Sequence, residues 1–185
     1  MRSLLMVGVL FFAVAGSAMA QDYPKGEVAG NYTYIRINPG GGASSIDCHG
    51  GGGSGAYSLN NYFAVVGEFS GCKWTGLGSG LSAHTFTYLF GPRLTYRGYG
   101  RLEPFGEALF GGVHIGGSGT GIGSGSDNAF GMALGGGVDY KWNRNVAIRF
   151  VQADYLYTKF NFGPGYTHQN NFRLQAGVVY RFGGR

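Results

Sequence analysis

Two cysteines, four histidines and a sparse set of alternating charges are the residues whose types and spacing suggest chemistry. Cys48 and Cys72 are the only cysteines. Centring a hairpin near residue 60, at Asn60-Asn61, sets them opposite one another at the outer end of two neighbouring segments. An even cysteine count in an exported chain favours a disulfide that staples the first two external loops. Two free thiols are the alternative. His49 adjoins Cys48, but two Cys and one His lack the fourth ligand of a zinc set. His49, His84, His114 and His168 lie near segment ends without metal-type spacing, so they read as solvated loop residues and no metal is expected. In HIGGS, His114 and Ser118 could serve as base and nucleophile. The glycines between them fix no geometry, however, and no acid is placed to orient the imidazole. No catalysis and no cofactor are expected. The tracts GGGASS, HGGGGSG and GGSGTGIGSGS resemble phosphate loops only in composition, because they lack the Lys and the strand-to-helix context.

Charged residues make up 12% of the chain, and the net charge is +5. The basic residues are scattered, with no cluster that suggests a nucleic-acid surface. Glu68, Arg93, Glu107, Asp139, Lys141, Arg149 and Arg173 fall on the polar side of alternating segments. Facing a narrow, partly dry interior, they must pair or reach water. Glu68, Arg93 and Glu107 lie on consecutive segments at similar heights and form the best candidate network. Structural filling is the plain reading. A gated ion pathway would need one pair to swap partners.

The elements that must position these residues are unusual for a soluble globule. Residues 1–20 read as a secretory signal: Arg2, then an apolar run from Leu4 to Ala15, then small residues with Ala18 and Ala20 at a cleavage site. That run is too short for the ~20 residues of a membrane-spanning helix. The mature part, 21–185, suits one domain. The chain holds 38 Gly, 14 Phe and 13 Tyr. Aromatic residues, glycine and few charges fit a barrel that shows its outside to lipid and packs small residues within. No later stretch is long and apolar enough for a membrane helix.

Past residue 26 the chain divides into eight alternating, aromatic segments: 27–37, 52–60, 62–71, 84–97, 101–115, 129–142, 145–160 and 171–182. Short connections at Asn60-Asn61, around Gly98-Tyr99-Gly100 and at Asn143-Arg144 are rich in residues that tolerate positive φ. They alternate strictly with longer ones at 38–51, 72–83, 116–128 and 161–170. An even-stranded barrel with short periplasmic turns and long external loops has this layout. In the fourth segment Phe86, Tyr88, Phe90, Leu94 and Tyr96 share one face, while Thr85, Thr87, Arg93 and Thr95 share the other. In the eighth, Phe172, Leu174, Ala176, Val178, Tyr180 and Phe182 oppose Arg173, Gln175, Gly177 and Arg181. Apolar sets facing lipid and polar sets facing the lumen invert the pattern of a soluble sheet. The seventh segment breaks phase: strict alternation from Arg149 would send Gln152 and Asp154 into lipid. One bulge near Val151 would return both to the interior.

On these features the chain resembles the small outer-membrane β-barrel domain family, the OmpA-type and opacity-type eight-stranded barrels, over about residues 21–182. Its ending, GVVYRF, is similar to the assembly signal of such barrels, through Gly177, Tyr180 and Phe182. Two departures are Ala176, where a polar residue is usual, and the continuation through Gly183-Gly184-Arg185. The peptidoglycan-binding domain of full-length OmpA proteins has no residues here to build it. The resemblance implies an all-β, eight-stranded, up-and-down transmembrane barrel in the bacterial outer membrane, whose last strand is read by the barrel-insertion machinery. The expected role is structural or surface-interacting. A small passive pore is the first rival and a lipid-modifying enzyme the second. Expected partners are outer-membrane lipid and lipopolysaccharide, periplasmic chaperones and the assembly machinery, with the protein a monomer and no nucleic acid bound.

Overall fold

The computed structural model describes residues 23–38, 45–75, 81–119, 123–162 and 165–184. The expected signal, residues 1–20, lies outside them. Eight strands follow in chain order: β1 (Gly26–Ile37), β2 (Ile46–Ser58), β3 (Phe63–Thr75), β4 (Leu81–Thr95), β5 (Leu102–Gly119), β6 (Gly123–Lys141), β7 (Val146–Phe162) and β8 (Gly165–Phe182). Each pairs antiparallel with the next, and β1 also pairs with β8. The sheet thus closes into a barrel in which every strand has a neighbour on both sides.

Period-two alternation decides what fills and what surrounds this cylinder. In β1, Glu27, Ala29, Asn31, Thr33, Ile35 and Ile37 are buried, while Val28 and Tyr32 are exposed. The same division holds around the barrel, so that Phe63, Phe90, Leu94, Phe130, Leu134, Tyr155, Phe172 and Tyr180 all face outward. An apolar surface this extensive calls for lipid rather than water.

The near end carries the start of β1, the end of β8 and the three short turns. Two of those turns repeat one device. The Asn60 Oδ1 accepts the backbone N–H of Tyr62 and Phe63, each at 2.8 Å. The Asn143 Oδ1 likewise accepts from Asn145 at 2.9 Å and Val146 at 2.8 Å. An Asn side chain that replaces a backbone acceptor closes such turns without help from the strands. In the third turn Gly100 adopts φ +68°, a conformation that costs glycine no Cβ clash.

The far end departs from expectation. Most residues assigned to long loops are in strands, including HGGGGSG within β2 and the GGSG that ends β5. Glycine tracts show no side-chain alternation, so sequence periodicity is silent over them. Their N–H and C=O groups still complete the ladder once neighbouring residues have aligned it. The strands differ in length. β1 to β4 run 12, 13, 13 and 15 residues, whereas β5 to β8 run 18, 19, 17 and 18. Crossing a bilayer takes about 9–11 tilted residues, so β5 to β8 extend well beyond the lipid.

The bulge expected in the seventh segment falls at Phe150-Val151. β7 shifts register against both β6 and β8 there. Phe150 is 56% exposed and Val151 45%, whereas Arg149 is at 1%, Gln152 at 0% and Asp154 at 1%. Two successive residues face outward, and Gln152 and Asp154 return to the lumen.

Inside, glycines on one strand admit bulk from another. A Cβ on Gly137 would lie 2.8 Å from Phe105 Cζ and 2.9 Å from Gln152 Cα, and would also strike the Val151 carbonyl oxygen. The Gly137→Ala change is expected to destabilise the barrel by about 1–3 kcal/mol, the usual cost of overpacking. Urea unfolding in lipid vesicles measures it, and an unchanged midpoint would show that Phe105 can move aside.

Candidate functional site in the barrel lumen

Strand parity points four arginines and six carboxylates from seven strands into the lumen, Arg97 joins them from just past β4, and closure brings them within reach of one another. At the near end Glu27 (β1) receives Arg181 (β8) at 3.2 Å, Arg97 at 3.4 Å and Arg93 (β4) at 3.8 Å. Arg181 also meets Glu103 (β5) at 2.8 Å and Asp139 (β6) at 3.5 Å. Arg149 (β7) grips Asp139 with both edges of its fork, at 2.8 and 3.1 Å. Bidentate pairing of this kind is the strong form of the interaction.

Farther in, Arg93 Nε donates to Glu107 at 2.7 Å. Arg173 donates to Asp154 from Nε at 2.9 Å and from Nη2 at 2.7 Å, and reaches Glu68 with Nη1. Gln152 ties the groups together. Its Oε1 accepts from Arg149 at 2.9 Å, and its Nε2 donates to Glu107 at 2.8 Å and Asp154 at 2.9 Å. Phe105 is buried between two cations, with the Arg93 and Arg149 guanidinium carbons 4.5 and 4.6 Å from its ring centre. An aromatic face stabilises desolvated cations, so this inward phenylalanine belongs to the polar layer.

Beyond the charges the lumen turns apolar. Leu89, Leu109, Ala133 and Leu156 form one buried cluster with Val66, Ile35, Ile37, Cys48 and Cys72, and Trp74 packs against it. The Trp74 Nε1 donates to Thr85 at 2.7 Å, which satisfies the indole in an otherwise dry setting. The space left at the far end among Ile35, Leu156, Thr158 and Asn171 is about 10 Å³, at most one water. At the near end a larger cavity of about 430 Å³ opens beneath the ion pairs.

Several expectations are corrected by register. Arg93 and Glu107 do pair, but Glu68 does not join Arg93. Arg93 stands opposite Ala64 and Glu68 opposite Leu89, so Glu68 instead crosses the lumen to Arg173. Lys141 has the inward phase but lies outside the network. The lumen ends at Asp139, and Lys141 is exposed at the near-end mouth. Glu27, Arg97 and Glu103 were missed as network members, although each shares parity with inward neighbours: Ala29, Thr95 and Glu107. Cys48 and Cys72 are bonded, with Cα atoms 5.5 Å apart. They link strands inside the barrel rather than loops outside it. The pair is diagonal, because Cys72 stands opposite Gly50 and Cys48 opposite Trp74. Gly50 leaves the room that this requires, since a Cβ there would lie 2.8 Å from the Cys72 Cβ.

The histidines sit in strands. His49 Nδ1 lies 2.6 Å from the Tyr32 hydroxyl, and His114 Nδ1 lies 2.9 Å from Asn128 Oδ1. Ser118 contacts Ser82 at 3.0 Å rather than His114. His168 falls in β8. Of the terminal motif, Gly177 lies opposite Asn31, Tyr180 opposite Val28 and Phe182 opposite Gly26. The motif therefore lies on the seam that closes the barrel.

A family model described as "Outer membrane protein beta-barrel domain" matches residues 5–182. No curated protein matches the chain by sequence. Among solved structures, Neisserial surface protein A aligns with a TM-score of 0.69 at 15% identity, over 85% of this chain and 97% of that one. Ail, the attachment invasion locus protein of Yersinia pestis, aligns at 0.62 and 20% identity, over 86% and 99%. The N-terminal β-barrel domain of Pseudomonas aeruginosa OprF aligns at 0.52 and 14% identity, over 89% and 100%. At such identities the likeness is one of fold.

Proposed function

Because this chain belongs to the outer membrane protein β-barrel domain family and resides in the bacterial outer membrane, we propose that it is a closed structural barrel whose tall far-end wall makes contacts at the cell surface. The near end, with its short turns, faces the periplasm, as is usual for such barrels. The observation that carries the reading is the filled lumen. The ion pairs from Glu27 to Arg173 and the apolar layer from Leu89 to Leu156 block the path between the two ends. An eight-stranded barrel has an interior that side chains nearly fill, and here they do. The overhang of β5 to β8 supplies a surface for contact beyond the lipid. Ail is named for attachment, and a comparable use of this wall suits its length.

Outer-membrane lipid and lipopolysaccharide surround the apolar belt in this reading. Chaperones and the barrel-assembly machinery handle the nascent chain, and the barrel works as a monomer. The reading assigns no catalysis to His114 and Ser118, which bond Asn128 and Ser82.

The rival reading, a passive pore, is tested directly. The refolded protein in planar bilayers is expected to give no steady conductance, with folding verified by heat-modifiable migration on a gel. Stable conductance steps that change size in Glu68→Gln would overturn the closed barrel in favour of the pore.

A further inference from the structure

The periplasmic mouth has features that the closed-barrel role does not use. The cavity of about 430 Å³ there is lined by Arg97, Arg181, Lys141 and Arg144, with Glu103 as its one acidic side chain among the described residues. This volume lies within the ~300–1,000 Å³ range of small-molecule sites. The two deeper cations are built in rather than incidental. The Arg97 side chain is 9% exposed and that of Arg181 3%. Both are held by Glu27 and Glu103. Glu27 also serves Arg93, and Asp139, which Arg181 reaches, is engaged by Arg149. The near-end acids are therefore already committed. Lys141 and Arg144 stand at the entrance, exposed, with no ion pair among the described residues. Asn61 and Asn145 complete the wall with amide groups.

Converging cations, two of them without an ion pair among the described residues, select an oxyanion. Guanidinium forks match phosphate edges, and an ammonium adds a point charge. We propose that this mouth is a binding site for a phosphate group presented from the periplasmic side. Two sources share that chemistry: free phosphate or a small phosphomonoester, and the headgroup of an anionic lipid. Phe182 lines the cavity and is itself exposed to the lipid side, so a headgroup can reach it.

The test uses the whole barrel refolded in phosphatidylcholine vesicles. Inorganic phosphate is titrated by calorimetry at constant ionic strength, and preference for vesicles containing phosphatidylglycerol is measured alongside. The comparison is the double change Lys141→Gln, Arg144→Gln. Both positions are exposed, and folding is verified by heat-modifiable migration. Saturable phosphate binding that weakens at least tenfold in the double variant supports the site with a free ligand. Absence of phosphate binding, with a preference for the anionic vesicles that the variant loses, supports the site with a lipid source. Absence of both, or binding indifferent to the two substitutions, overturns it.

Discussion

Replacing Arg173 with methionine is expected to lower the unfolding free energy by about 3–5 kcal/mol, the cost of stranding buried charge by removing one partner. Arg173 is fully buried and holds Asp154 through two nitrogens and Glu68 through a third. Without it, those carboxylates share a dry interior in which the Gln152 amide and, for Glu68, the Gln175 amide are the nearby donors. Urea unfolding in vesicles, followed by the fluorescence of Trp74 and Trp142, reads the loss. A companion variant separates charge from packing. Adding Glu68→Gln and Asp154→Asn to Arg173→Met removes the stranded charges and should recover most of the stability. A loss below ~1 kcal/mol in the single variant, the range of an exposed pair, would mean that water reaches the middle of the lumen. The closed-barrel reading would then weaken with it.

The second large effect concerns β2. Gly50 to Gly53 form a run of four glycines in the middle of this strand. Glycine is unfavourable in strands, and a run without side chains leaves register weakly specified. The Cys48–Cys72 bond spans 24 residues of sequence. Closing a loop of that size in the unfolded chain is worth about 3 kcal/mol in the chain-entropy account. The bond also fixes β2 against β3 beside the glycine run. Cys48→Ala with Cys72→Ala is expected to lose about 3 kcal/mol relative to the oxidised protein. Reductant should bring the native protein close to the double variant and leave the variant unchanged. Equal stability of the two proteins under oxidising conditions would show that ladder hydrogen bonds alone hold β2 in place.

These two effects come from different parts of the lumen, and they explain its layering. Charged groups cluster toward the near end, where the mouth opens to water, while the disulfide and the leucines occupy the far half. The arrangement keeps each arginine in the middle of the barrel next to a carboxylate or over the Phe105 ring, so that little buried charge goes uncompensated. It also places the exposed cations Lys141 and Arg144 where a ligand can approach them.

Sequence alone determined which face each side chain takes. Parity along a strand is a property of the local backbone, and it placed Arg93, Glu107, Asp139, Arg149 and Arg173 inward before any pairing was known. It also located the bulge beside Val151, because no single phase could keep both Arg149 and Asp154 out of lipid. The near-end turns were legible for the same reason, since Asn60 and Asn143 act within two or three residues. Tertiary structure decided who meets whom. Glu68 reaches Arg173 across 105 positions of chain, and the disulfide lies on a diagonal rather than a direct pair. Lys141 falls outside the lumen although Asp139, two residues earlier, falls inside. Each of these depends on strand stagger, a sum over all eight pairings that closure of the barrel imposes and that no local pattern carries. The glycine tracts were silent in the sequence for a related reason. Their place in the ladder is set by the strands beside them, not by side chains of their own.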